Sequence, residues 1–257
     1  MAFQYIGVEE ARKRSGLRMV VVGNVPSPWG EAAKGILHIK GIEWAAVRLT
    51  YDSELLREWA GQRSGPVAIY ENELPRAGWA EILLLTEPLA PTPALLPADP
   101  TERSLVFGIS HEICGEAGLG WSRRLQLIHA GLDNTGRGFP EPVAKYLGKK
   151  YGYRLETGVS AAPRVASLLA MLGARLKAQY EKGSPYYVGT SLTAVDVYSA
   201  TFMALFRPLP QEQCQMSAST RAAFETRDAQ TEATLDPVLL NHRDMMYAKY
   251  LELPLSL

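Results

Sequence analysis

The segment Asn24-Val25-Pro26-Ser27-Pro28-Trp29-Gly30-Glu31 places a hydroxyl where a helix begins. A run rich in β-branched residues, Met19–Gly23, ends just before it, and Pro28 stands where proline is favoured, at the first position of a helix. Ser27 is then the N-cap residue. Its hydroxyl lies beside backbone N–H groups that have no intrahelical partner and at the positive end of the helix dipole, where an anion such as a thiolate is stabilised. The same residue also reads as a plain capping serine, worth ~1 kcal/mol to the helix and nothing to chemistry.

Other arrangements of reactive residue types fail on spacing. His242-Arg243-Asp244 has neither the Asn five residues on nor the glycine-rich loop of a kinase. Gly115, Gly118 and Gly120 do not form the dinucleotide fingerprint and follow no strand. His38, His111, His129 and His242 show no ligand spacing, and Cys114 and Cys214, 100 positions apart, form neither a zinc motif nor a disulfide framework, so no metal site is expected. A serine attacking an ester needs a base, and no histidine stands in a recognisable relation to Ser27.

The elements that must position Ser27 come in two styles. Before residue 88 short ones alternate: a strand at Met19–Gly23, a helix over 28–40 with Trp29, Ala32, Ala33, Ile36 and Leu37 at helical spacing, a strand at Trp44–Leu49, a helix at Ser53–Gly61, a strand at Val67–Tyr70 entered through Gly65-Pro66, and a helix over 78–87. Pro88–Pro100 holds five prolines and should run extended as a domain boundary. Beyond it the pattern is helical. Residues 101–132 carry a helical repeat that the three glycines should break, 163–182 show an apolar stripe from Val165 to Tyr180, and Thr193-Ala194-Val195-Asp196 opens a helix in capping-box style. A polar stretch at 208–233, read as a lid, an oligomer contact or a disordered segment, precedes a last helix near 236–251.

Composition sets outer limits. In 257 residues, 47% hydrophobic and 21% charged describe an ordinary globular chain and exclude a wholly disordered, collagenous or coiled-coil one. Lys+Arg (27) equal Asp+Glu (27), so there is no net basic field for nucleic acid. The longest continuous apolar runs fall far short of the ~20 residues that span a bilayer, and residues 1–16 lack the apolar core of a signal peptide. The expectations are a cytoplasmic protein with no membrane or nucleic-acid partner.

Three quoted pieces, in this order and spacing, resemble the glutathione transferase superfamily: VVVGNVPSPWGEAAKGILHIKGI, GPVAIYENE and GTSLTAVDVYSATF. The resemblance covers about residues 17–205. It implies an α/β thioredoxin-like N-terminal domain (1–88), a proline-rich linker (89–100) and an all-helical substrate domain (101–257). It also implies glutathione as co-substrate, conjugated or transferred to a small apolar electrophile, and a homodimer.

By the resemblance, Ser27 falls where the family places its catalytic Ser or Cys, with Asn24, Pro28 and Trp29 completing the turn. The serine hydroxyl would hydrogen-bond the glutathione sulfur and favour its thiolate. Pro66 matches the family's cis-proline, the Gly65 backbone would pair with the tripeptide like an added strand, and Gln62 and Arg63 would reach its glycine carboxylate. Phe107, His111, Trp121 and Arg124 are the substrate-side candidates, expected to face the Ser27 turn from the first C-terminal helix. One departure stands out: the acidic-Ser pair that grips the γ-glutamyl end falls on Ala77 and Gly78, which have no side chain to do so. Losing those charge-assisted bonds costs roughly 1.5–3 kcal/mol each, with Arg76 or Glu81 as partial substitutes. The alternative is therefore a non-catalytic binding or scaffold protein that has kept the fold and lost the clamp.

Overall fold

The computed structural model describes residues 4–133 and 137–257. They form two compact units: one of the residues up to Leu95 with Pro210–Met216 and Tyr250–Leu257, the other of Leu96–Leu209 and Ser217–Lys249. The division falls inside the proline-rich segment, and two later segments rejoin the first unit.

The first unit is built on the strands β1 (Tyr5–Ile6), β2 (Leu17–Val21), β3 (Trp44–Arg48) and β4 (Val67–Tyr70), in the order β1-β3-β2-β4. β1 and β2 run parallel to β3, whereas β4 is antiparallel to β2, with Val20 opposite Val67 and Met19 opposite Ala68. Every residue of β2 is buried, as a central strand covered on both faces requires. The two-residue side-chain period divides it. Leu17, Met19 and Val21 pack with Ala33 and Leu37 of α2 (Pro28–Ile39) and Ile82 and Leu85 of α4 (Trp79–Leu89). Val20 faces the other way, in a cluster with Ala11 of α1 (Val8–Lys13) and Leu56 and Ala60 of α3 (Glu54–Ala60). Ser53 caps α3 by accepting from the Leu56 amide at 3.1 Å, and Gly61, at φ 74°, ends it in the left-handed conformation that glycine adopts without strain. β1 and α1 lie before the first strand expected from sequence. α4 carries Pro88 in its last turn, so the extended stretch starts two residues later than expected.

The second unit is helical: α5 (Pro100–Cys114), α6 (Leu119–Leu132), α7 (Glu141–Lys150), α8 (Leu155–Glu181), α9 (Ala194–Phe202) with a 3-10 turn at Met203–Leu205, α10 (Ala218–Glu225), α11 (Ala229–Thr234) and α12 (Pro237–Lys249). Gly115–Gly118 is the break between α5 and α6 that the glycines predict. At 27 residues α8 is, among the described residues, the one helix whose length and composition would suit a bilayer, although no single apolar run is that long. Val165, Leu168, Leu169, Leu172 and Leu176 are buried and α8 packs on α6, as a core helix does. Opening α9, the Asp196 carboxylate accepts from the Thr193 amide (2.8 Å) and hydroxyl (2.9 Å), which is the expected capping arrangement.

Within the polar 208–233 stretch lie α10 and α11. Arg123 of α6, 1% exposed, donates to the carbonyls of Leu205 and Phe224, both at 3.0 Å, and to that of Thr226. It also donates to Gln126 Oε1 at 2.7 Å, and Gln126 in turn donates to Asp228 at 2.8 Å. Burial pushes the Arg123 guanidinium down to about 9, with Asp228 opposing and Arg227 and Arg124 adding to the fall, so it stays cationic at neutral pH.

Candidate thiol-binding site

Ser27 is the N-cap of α2 and Pro28 its first residue, as the sequence predicts. Ser27 O accepts the first intrahelical hydrogen bond, from the Glu31 amide at 2.8 Å, while the side chain makes no cap hydrogen bond. The hydroxyl is half-buried at the positive end of a helix of 12 residues, and its oxygen is not taken up by a capping amide. Asn24 is exposed and holds φ 63°, a left-handed conformation that asparagine tolerates better than most residues; Pro28 is buried and Trp29 partly buried.

Strand register brings the second element to the same end of the sheet. The Gly65-Pro66 bond is cis and leads into β4, and the Val20–Val67 pairing sets it beside the end of β2 from which the Ser27 turn emerges. A Cβ on Gly65 would stand 3.2 Å from Val20 O, so this backbone approaches β2 about as closely as a side chain would permit. Arg63 is engaged: its guanidinium pairs with Glu54, which Arg57 also holds at 2.6 Å. The Arg57 hydrogen bond, with the charges of Arg57 and Arg63, keeps the exposed Glu54 carboxyl below its usual range against the opposing effect of desolvation. Gln62 Oε1 accepts from the Ser64 hydroxyl at 3.1 Å. Neither side chain is held toward Gly65 by these contacts.

The third element is the N-terminus of α4. Arg76 pairs with Ala68 of β4 in an isolated antiparallel bridge, N–H to carbonyl at 2.8 and 2.9 Å, and Gly78, the N-cap of α4, follows two residues on. Gly78 and the exposed Ala77 carry no polar side chain. Instead the Glu81 carboxylate, from the first turn of α4, folds back into the space a side chain at position 78 would fill. An acid therefore stands at the helix start, supplied from three residues further on. Arg76, the other substitute the sequence offers, is paired with Glu73 at 2.6 Å.

Three charged neighbours are given no role by the sequence. The Arg48 guanidinium, at the end of β3, lies against Gly23, where a Cβ would meet its Nε at 2.7 Å, and over the Tyr5 ring at 5.5 Å. One turn into α2, the buried Glu31 accepts from Lys34 Nζ at 2.6 Å, and Lys34 also donates to Ser256 O at 2.7 Å. Burial raises the Glu31 carboxyl, Lys34 opposes this and Glu252 adds to it. Nothing local in the sequence separates these residues from solvated charges on a helix or strand end.

The four substrate-side candidates belong to the helical unit. The Phe107 ring lies under Arg103 at 5.3 Å, and His111 is exposed with its ring folded over Gly115. Trp121 packs edge-on to Tyr151 at 4.8 Å between centroids. Arg124 is 7% exposed and sits over Phe139 (5.5 Å) and Phe224 (4.9 Å), the surroundings of a core residue. Among the described residues, no three His, Cys, Asp or Glu side chains come together as a metal site.

Comparison by sequence matches the chain to no protein-family model and to no curated protein. Comparison by structure is informative. A glutathione S-transferase from Methylobacterium radiotolerans, in complex with glutathione sulfonate, superposes with a TM-score of 0.61 at 16% identity over 91% of each chain. The chain has the glutathione transferase fold. Ure2p in complex with glutathione gives 0.55 at 12% identity, covering 89% of this chain and 98% of that one. A glutathione S-transferase from Xanthobacter autotrophicus gives 0.55 at 16%, covering 93% and 97%. In this fold the four-stranded unit is the thioredoxin-like half and the unit from Leu96 is the all-helical half, as the sequence resemblance implies.

Proposed function

We propose that the chain binds glutathione in its thioredoxin-like unit and transfers the thiol to an apolar electrophile. The observation that carries this reading is the Ser27 hydroxyl, set at the N-terminus of α2 and not used in capping. Two of the solved structures sharing the fold were obtained with glutathione or its sulfonate, which supports the choice of thiol.

The residues present fit the tripeptide in three places. The Ser27 hydroxyl donates to the sulfur and, with the helix dipole, favours the thiolate, the nucleophilic form. The Gly65 backbone, entering β4, presents an edge for the peptide part of the ligand. At the start of α4 the Glu81 carboxylate offers a charge-assisted acceptor to the γ-glutamyl ammonium in place of side chains at 77 and 78. Each role belongs to this chain's own atoms; the sulfur supplies the nucleophile.

The test is glutathione-dependent turnover of a reactive aryl halide by the Ser27→Ala variant. A hydrogen bond that strengthens toward the transition state is worth ~10²-fold or more in kcat. A loss within about twofold removes Ser27 from the chemistry and returns it to a helix cap. A second reading, a non-catalytic binding or scaffold protein that has kept the fold and lost the γ-glutamyl clamp, is favoured by the bare Ala77 and Gly78; absence of glutathione binding at several millimolar would support it.

A further inference from the structure

The Ser27 turn follows the end of β2. At the other end, where the parallel strands β2 and β3 begin at Leu17 and Trp44, the first unit holds a cavity of about 580 Å³. That is the size of a small-molecule site. Its wall is the margin of the core: Leu17 and Leu37 are buried in the cluster between the sheet and α2, and Ile42 and Trp44 are partly buried against it. Gly16 (φ 80°) and Gly41 (φ 62°) line the cavity with bare backbone, and a Cβ on either would meet nothing within 4 Å among the described residues. Neither position offers a side chain to cover the apolar wall.

The charge around this space is negative. Glu43 and Glu252 both line it; Glu43 makes no ion pair among the described residues, and Glu252, from the last segment of the unit, faces His38 at 3.6 Å. The 12-residue α2 ends here and adds the negative end of its dipole. Lys40, which follows α2 and would ordinarily offset that end, is directed elsewhere: its buried ammonium donates to Glu87 Oε1 and Ala90 O at 2.8 Å and to Pro93 O at 2.9 Å. Arg14 is the one lysine or arginine of the lining, and its guanidinium stands 3.9 Å from Glu10, an acid outside the cavity. Two carboxylates and a helix terminus therefore face one guanidinium that has an acid of its own.

We infer that this cavity binds a small organic cation, an amine or ammonium group carried on a planar apolar body. The body lies against Leu17, Ile42 and Trp44, where removing apolar surface from water supplies the attraction, and the cation meets Glu43 and Glu252 at the rim. An acid of the same shape is repelled by those carboxylates, and a neutral molecule forgoes the charge. The site lies at the opposite end of β2 from the Ser27 turn and does not depend on a thiol being bound there.

A charge series on one body tests this: tryptamine, its neutral alcohol tryptophol and indole-3-propionate, each titrated into the full chain and followed by saturation-transfer NMR. Tryptamine should bind with a Kd of ~0.1–3 mM, as expected of a ligand this small. Each exposed carboxylate is worth about two- to fivefold, so tryptophol should bind at least about fourfold more weakly and indole-3-propionate should show no saturable binding. Glu43→Gln with Glu252→Gln should weaken tryptamine by about four- to 25-fold and leave tryptophol unchanged, a selective loss that a general change of shape would not show. Both positions are exposed, and an unchanged circular dichroism spectrum confirms that the variant folds. Saturating glutathione should leave tryptamine binding as it was. The inference is overturned if tryptamine shows no saturable binding, if indole-3-propionate binds as tightly, if the double variant binds tryptamine like the parent or loses tryptophol equally, or if glutathione displaces tryptamine.

Discussion

Replacing Asp196 by alanine should cost about 3–7 kcal/mol of stability. The carboxylate is fully buried and satisfies donors from three directions: the Thr193 amide and hydroxyl on Oδ2, and the Tyr187 amide and His242 Nε2, both at 3.0 Å, on Oδ1. Loss of the cap contributes ~1 kcal/mol. The larger part comes from the stranded donors, because the Tyr187 amide and the fully buried His242 ring then lose their acceptor, at ~1–3 kcal/mol each. Out of a total of about 5–15 kcal/mol this is a substantial loss. Urea unfolding followed by circular dichroism measures it, and the same substitution in a His242→Phe background isolates one stranded partner: there Asp196→Ala should cost ~1–2 kcal/mol less. A loss below ~1 kcal/mol in the parent background would refute the reasoning, since it would mean that the carboxylate is not what holds these donors.

The remaining predictions concern the thiol site. Glu81→Gln keeps size and one acceptor oxygen but removes the charge, so glutathione should bind about tenfold more weakly or worse by calorimetry, while S-methyl substitution of the ligand leaves that ratio unchanged. If Glu81→Gln binds within about twofold of the parent, the γ-glutamyl end is held elsewhere. Ser27→Cys places a thiol at the same helix end, where the dipole lowers its pKa. Incubated with glutathione disulfide, its thiolate should attack one sulfur, form a protein–glutathione mixed disulfide and expel glutathione thiolate, a mass change the parent should not show. Equal labelling of the parent through Cys114 or Cys214 would break that argument.

Local pattern made much of the first unit legible. The β-branched run of β2, the apolar stripe of α2 and the proline after Ser27 each announce themselves within a dozen residues, and so does the Thr193–Asp196 cap of α9. What could not be read depends on partners far away in sequence. β1 is two residues long and exists through pairing with Ala46 and Val47 of β3. α10 and α11 are short and polar, and the distant partners that hold them are on α6: Arg123, 101 positions before Phe224, for the end of α10, and Gln126, which donates to Asp228 and Thr231, for α11. In the candidate site, the Ser27 turn and Gly65-Pro66 stand in the sequence as residues. That the Ser27 side chain is left out of its cap, that Arg63 is held by Glu54, and that Glu81 fills the space above Gly78 are facts of side-chain direction, which spacing alone does not encode.

The central claim is that a glutathione thiol is held at the Ser27 turn of the thioredoxin-like unit, and direct titration tests it before any electrophile is known. Calorimetry of the purified chain with reduced glutathione should give saturable binding with a Kd between ~1 μM and ~1 mM, that is, about −8 to −4 kcal/mol, weakened by Ser27→Ala. No heat at several times the upper end of that range, or saturable binding that Ser27→Ala leaves unchanged, would contradict the account.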